Sequence, residues 1–427
     1  MAGKALVIGG GPAGLQSAWG LVSAGVETVL VERAPVLGGN LSHNKYLFPL
    51  REEAFKLLRE RYMELEKSPL FTLHLNSQLT SLSRMEKGFE AVISTQPTYI
   101  DQKKCTLCGD CIRVCPAEFD DPESLWTTKR RAAHHHHGIP EVFFIDREWC
   151  RPGCRQCTSA CTAGAVNLDA SGTSLVERAD AIIVATGIVP YDMKLLSELG
   201  YGRSPNIITG LEFELLFRPG GPTGGRVLRP SDRTEPKTVA ILTCVGSRDE
   251  KHRPYCCQVG CMNALNQAYT VKEQLGEKVG VYVCFTDVRA HGKYYEEFYR
   301  KVRGMGVKFL RGKPSEVLVN HDGTISFDIF DTATHKLLKL RADIVVLEPA
   351  LVNGAPELAD RLGIGLDREG FFSTDIDYPL PVKSTAPGIF IAGAASGPKD
   401  VVSAMAHAAA ATLLALHHIK TTRGSGG

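Results

Sequence analysis

The stretch that most restricts the fold is KALVIGGGPAGLQSAWGLVSAGVETVLVER, residues 4–33. An apolar run of strand length, a glycine turn, a helix-length stretch and a second apolar run read as strand, turn, helix and strand. Gly9, Gly11 and Gly14 have the G-x-G-x-x-G spacing, and within a whole βαβ unit that spacing is specific for a dinucleotide. The glycines allow a tight turn and close backbone approach. A helix starting near Pro12 aims its positive end at a pyrophosphate, and Glu32 ends the second strand where a ribose hydroxyl needs an acceptor. Ala13, Arg33, Gly39 and Asn40 complete this candidate surface. A bare structural turn is the competing reading, and the complete unit weighs against it.

The loop alone does not separate FAD from NAD. Two later segments do: ADAIIVATG (179–187), an apolar strand ending in Ala-Thr-Gly, and GIFIAGAASGPKDVVSAMAHAAAA (388–411), a strand, glycine turn and helix. Both resemble the closing segments of flavoproteins built from two dinucleotide domains, which implies FAD. Ala185, Thr186, Gly187, Gly393, Lys399, Asp400 and Val401 are then further cofactor contacts. A helix starting at the flavin favours the negative charge of the reduced ring.

Thirteen cysteines are the next constraint. The first apolar run is too short for a secretory core, so the chain is expected in the cytoplasm, where cysteines argue for metal or redox work rather than structural disulfides. CTLCGDCIRVCP places Cys105, Cys108, Cys111 and Cys115 before Pro116 in the spacing of a bacterial 4Fe-4S run. CRPGCRQCTSAC places Cys150, Cys154, Cys157 and Cys161 with a wider first gap and Thr162 instead of proline. Resemblance to two-cluster ferredoxins pairs Cys105, Cys108, Cys111 and Cys161 on one cluster and Cys150, Cys154, Cys157 and Cys115 on the other. Zinc is the alternative for four-cysteine sets. The run His134 to His137 between them reads as a solvated loop.

From Lys237 the pattern of strand, loop, helix and strand returns, but the fingerprint position reads CVGSRD, with one glycine where three are wanted. Cys244 ends the strand, and Cys256, Cys257 and Cys261 are placed at the start of the helix, with Cys257 and Cys261 one turn apart. A third 4Fe-4S cluster is the first reading of these four, and a redox disulfide the second. Cys284 is left as a core thiol. A net charge of +2 without charge runs excludes nucleic acid as a favoured partner. Val401 to Leu416, apolar but interrupted by Ser403 and His407, reads as a packed helix and not as a membrane span.

With CVGSRDEK, PYC, GPTGG, RPSD, DVRAHGKYYEEFYRKVRGMGVKFLRGKP and IAGAASGPKD, the chain resembles the A-type component of heterodisulfide reductase and its relatives in sulfur-oxidising bacteria. The resemblance implies an α/β, thioredoxin-reductase-like flavoprotein with an inserted bacterial-type ferredoxin domain. In this chain it divides as FAD domain 1–98, ferredoxin insert 99–170, FAD domain 171–235, cluster-bearing nicotinamide-like domain 236–346 and FAD domain 347–427. It also implies 4Fe-4S clusters on the cysteines above, B- and C-type iron-sulfur partner subunits and a homodimer. Two departures stand out. The methanogen proteins carry Cys-Cys where this chain has Gly260-Cys261, so Cys257 becomes the replacement ligand, and they carry a flavin-facing lysine where this chain has Asn266. An electron relay is therefore expected, with flavin-based bifurcation or a self-sufficient NAD(P)H-dependent flavoenzyme as alternatives.

Overall fold

The computed structural model describes residues 3–121, 125, 128–136, 138–375 and 381–424. Its first parallel sheet runs in the order Ile389–Ile391, Ala181–Val184, Lys4–Ile8, Glu27–Val31 and Phe71–His74. Alternate residues of one strand enter different cores. Ala5 and Val7 pack with the helices Pro12–Ser23 and Val401–Gly424, while Leu6 and Ile8 pack with Ala91, Ile93 and Phe372. Both faces are covered, which is why these strands read as unbroken apolar runs. The closing helix buries Ala408, Ala411, Ala415 and Ile419 completely, and small residues let it lie close against Gly20. It is also long and apolar enough to cross a membrane by length and composition.

The second parallel sheet runs Ile207–Thr209, Ile344–Pro349, Thr238–Val245, Gly280–Phe285 and Lys308–Arg311. The sequence boundaries at 235 and 346 need correction here. Strand Ile207–Thr209 pairs with Ile344–Pro349, so the second sheet draws on residues upstream of 235 and runs past 346. The glycine- and proline-rich stretch from Arg218 to Pro236 marks a surface loop within this unit and not its edge. A short antiparallel pair, Ile188–Pro190 with Leu351–Asn353, carries the chain out and back between the two sheets.

The insert closes on itself through a bridge between Ile100 and Val166. Its core is thin: Ile100, Ala132, Ala133, Phe143, Ile145 and Leu168 around Cys111, Cys115 and Cys157. So small an apolar core is the kind that metal ligation supplements. The histidine run departs from expectation. Ala133–His136 is a strand paired with Val142–Ile145, and His134 is 4% exposed with its ring against Phe144. Pairing with the apolar VFFI strand supplies a buried face that four consecutive histidines do not advertise. His137 lies outside the described residues.

Candidate functional site

The loop after the first strand is held by its own geometry. Gly9 has φ +107°, and a Cβ on Gly14 would stand 1.8 Å from the Gly9 carbonyl oxygen. A Cβ on Gly11 would meet nothing within 4 Å. That open side faces a cavity of about 380 Å³. Every cofactor position expected from the sequence lines it except Gly14 and Gly393. Those two make close packing contacts instead, Gly14 on Gly9 and Gly393 on Ala13.

The polar groups in this cavity fit FAD. Glu32 accepts from the N–H groups of Gly10 (2.5 Å) and Ala34 (2.8 Å), and burial pushes its carboxyl upward. Thr186 Oγ1 is buried without a hydrogen-bond partner among the described residues, as a hydroxyl that meets a ligand would be. Asp400 caps the closing helix through the Ser403 N–H (2.7 Å) and accepts from the Tyr295 hydroxyl (2.5 Å). Lys399, beside it, is pushed down to about 8 by burial. The N-terminus of the closing helix therefore points a cation and a helix dipole at the cavity.

The opposite wall comes from the second sheet. Val259, Gly260 and Asn263 line it at the start of the helix Gly260–Leu275. Cys257 precedes that helix and does not lie on it, because Gln258 turns the chain at φ +61°. The one-turn relation with Cys261 is thus absent. Instead the Gly260 N–H points at Cys257 Sγ (3.4 Å), and the Cys257 N–H bonds Ser247 Oγ (3.1 Å). A sulfur occupies the helix N-terminus where a pyrophosphate would sit. The lone fingerprint glycine, Gly246, is closed off by the Tyr191 ring, 3.1 Å from where its Cβ would be.

Burial, chiefly, and then the charges of Cys244 and Cys256 push the Cys261 thiol up to about 11, and the same two sulfurs act on Arg248. Cys256 is pulled down to about 6, chiefly by a hydrogen bond from the Cys257 thiol and also by Arg289 and Arg248. The same bond, with burial, raises Cys257. Asp287 holds the two arginines, at 2.5 Å from Arg248 and 3.0 Å from Arg289. Cys284 is buried elsewhere in the sheet and pushed up to about 12.

In the insert, Cys105, Cys108, Cys111 and Cys161 line one small cavity. Cys157 faces Cys150 and Cys115, and Cys154 lies in the adjoining turn. All thirteen cysteines are free thiols. Among the described residues, no three His, Cys, Asp or Glu side chains converge tightly enough for a single ion.

Asn266 stands one layer behind the cavity. Its amide donates to the Tyr46 carbonyl (3.0 Å) and its oxygen accepts from Arg51 (3.0 Å); Tyr46 and Asn263 are the residues that reach the lining. Sequence reasoning missed Arg51, and it missed Glu214 and Glu348, two buried carboxyls on the same wall. The signal was an acid buried inside each of the apolar stretches GLEFELLF and IVVLEP.

A family model described as "FAD dependent oxidoreductase" matches residues 5–62, and one described as "4Fe-4S binding domain" matches residues 98–119. The chain is 36% identical over 414 residues to the A-type component of the H(2):CoB-CoM heterodisulfide,ferredoxin reductase of Methanothermobacter marburgensis, covering 96% of this chain and 62% of that protein. It is 34% identical to the A-type component of the ferredoxin:CoB-CoM heterodisulfide reductase of Methanosarcina mazei, covering 95% of this chain and 52% of that one. The chain thus spans just over half to somewhat under two thirds of these relatives. Thioredoxin reductases of T. acidophilum and Lactococcus lactis share the fold at TM-score 0.54 with 13% and 14% identity. The former match covers 97% of this chain and 98% of that one, the latter 98% and 99%.

Proposed function

Because this chain is a homologue of the A-type component of heterodisulfide reductase over 96% of its own length, we propose that it is the flavin and iron-sulfur electron-transfer subunit of a heterodisulfide-reductase-like complex. One observation carries the reading: a single cavity has the dinucleotide loop at one end and the start of the cysteine-bearing helix at the other. FAD, when bound, exchanges electrons one or two at a time, and 4Fe-4S clusters exchange them singly. The glycine loop and the closing helix would hold the FAD. Cys244, Cys256, Cys257 and Cys261 would hold a cluster on the opposite wall, and the eight insert cysteines two more. Electrons would leave to B- and C-type iron-sulfur partners, and two copies of the chain would associate in the cytoplasm.

A nicotinamide-dependent reading is disfavoured by the sulfur at the second helix N-terminus and by the closed Gly246 loop. Anaerobic purification followed by flavin and iron assay tests the proposal. Stoichiometric FAD with about eight to twelve iron atoms is the expected result. A colourless protein would overturn it, as would rapid full bleaching by NADH or NADPH. Light scattering of the purified chain, and its copurification with iron-sulfur proteins, test the assembly.

A further inference from the structure

The stretch RPSD (229–232), on which neither the FAD cavity nor the cysteine groups draw, borders a second cavity of about 730 Å³. It lies beside Ile207–Thr209, the edge strand of the second sheet. Ile207, Ile208 and Pro230 are buried and form its apolar side. Leu125 joins them from the ferredoxin-type insert, in the same core as Ile208. Lys194, Ser231 and Arg233, all exposed, mark the side open to solvent. Among the described residues, none that lines this cavity also lines the FAD cavity.

The carboxylates here are already engaged. Asp232 accepts from Arg229 Nε at 3.1 Å and from the Thr234 N–H at 3.0 Å. Glu212 accepts from the Tyr201 hydroxyl (2.8 Å) with one oxygen and from the Thr209 N–H (2.7 Å) with the other. Asp192, next to Lys194, caps its own turn through the Lys194 N–H at 3.0 Å. The donors, by contrast, are open. The side chains of Lys194 and Arg233 have no ion pair or hydrogen bond among the described residues. Asn206, 6% exposed, occupies the acceptor side of both serines, its N–H donating to Ser204 Oγ (3.3 Å) and its amide to Ser231 Oγ (3.0 Å). Each hydroxyl thus keeps its own hydrogen for a further acceptor. The loop that presents Arg233 is preformed: the Arg233 N–H bonds the Arg229 carbonyl (2.9 Å), the Arg229 N–H bonds the Thr234 carbonyl (2.8 Å), and Arg233 itself is held at φ +59°. A side chain in that left-handed region is a strain that the surrounding bonds must hold in place.

We propose that this second cavity binds a small organic phosphate monoester, its phosphate on Lys194, Arg233 and the hydroxyls of Ser204 and Ser231 and its carbon body against Tyr201, Ile207 and Pro230. Open donors facing engaged carboxylates select an anion that only accepts hydrogen bonds. Two uncommitted cations match the double charge of a phosphate monoester above its second ionisation, whereas a lone carboxylate leaves one of them unbalanced. The guanidinium fork takes two phosphate oxygens at once. The volume falls in the range of small-molecule sites, so the ligand has a body as well as a charged head. Binding of this ligand and binding of FAD stand or fall separately, because the two cavities have different walls.

Isothermal titration of the anaerobically purified chain at pH 8, in excess FAD, tests the site with phenyl phosphate, benzoate, inorganic phosphate and phenol as probes. Phenyl phosphate should bind one to one, and about tenfold or more tightly than any of the other three. Lys194→Gln and Arg233→Gln should each weaken it by about tenfold, the loss of one charge-assisted hydrogen bond. Both side chains are exposed, so flavin content and melting temperature should stay as in the wild type. Failure of phenyl phosphate to bind overturns the proposal, and so does equal binding by the wild type and both variants. Benzoate binding as tightly as phenyl phosphate overturns the choice of phosphate, and inorganic phosphate doing so overturns the organic body.

Discussion

Gly11 and Gly14 sit in one loop and should fail differently when substituted. Gly11→Leu points into open space, so the chain should fold with unchanged circular dichroism and lose its flavin absorbance. Gly14→Ala drives a methyl group onto the Gly9 carbonyl oxygen, and should destabilise the protein by roughly 2–4 kcal/mol. A Gly11→Leu protein that retains full flavin would remove the loop from the site. Glu348 makes a second residue-scale prediction, with its sign fixed by linkage. Its carboxyl is held protonated in the folded chain to about pH 8, whereas an unfolded glutamate ionises near pH 4.3. The folded state therefore binds more protons between those values, and stability falls as pH rises through them. Between pH 6 and pH 8 this one group costs on the order of 2 kcal/mol. Glu348→Gln should flatten the decline in melting temperature over that interval, and an equal decline in both proteins would count against a buried neutral Glu348. Of these residues the glycines were legible, because spacing encodes a loop. The acids were visible only as oddities in apolar runs, since burial is a property of what packs around them.

The helix Gly260–Leu275 shows how far an element can be read in advance. Its existence and the nearness of four cysteines follow from periodicity and the preceding strand. Its start does not, because the left-handed turn at Gln258 puts Cys257 outside the helix as a sulfur cap. A Cβ on Gly260 would lie 3.0 Å from that sulfur, so a thiol from position 260 and the thiol of Cys257 draw on the same space. Cys257→Ser should accordingly cost about four iron atoms and one paramagnetic cluster signal while sparing the insert clusters and the FAD. Cys257→Ala combined with Gly260→Cys should restore them. A third cluster intact in Cys257→Ser would exclude that ligand. The strand Ala133–His136 is the converse case: a polar run read as loop is built into a sheet, because its partner strand, VFFI, supplies the apolar face.

Across the whole molecule the two dinucleotide-type units are joined by specific side chains as well as by chain crossings. Tyr295 reaches Asp400 at the closing helix, and Arg51 reaches Asn266, Thr270 and Glu273 on the cysteine helix. The wall carrying Gly260 and Asn263 is thereby held against the dinucleotide loop, and at the start of its helix the Gly260 N–H is taken by Cys257 Sγ. NADH and NADPH should therefore reduce the flavin far more slowly than dithionite does in stopped-flow absorbance, and comparable rates would restore the nicotinamide reading. Sequence by itself determined the α/β class, the glycine loop and the two ferredoxin-type runs, since each is encoded by residues within a few positions of one another. Tertiary structure alone decided that strand Ile207–Thr209 joins the second sheet, that Asn266 lies behind the cavity under Arg51, and that Glu214 and Glu348 share one wall. Those outcomes depend on groups as much as 220 residues apart in the chain, whose meeting is set by how two twisted sheets pack and not by any local pattern.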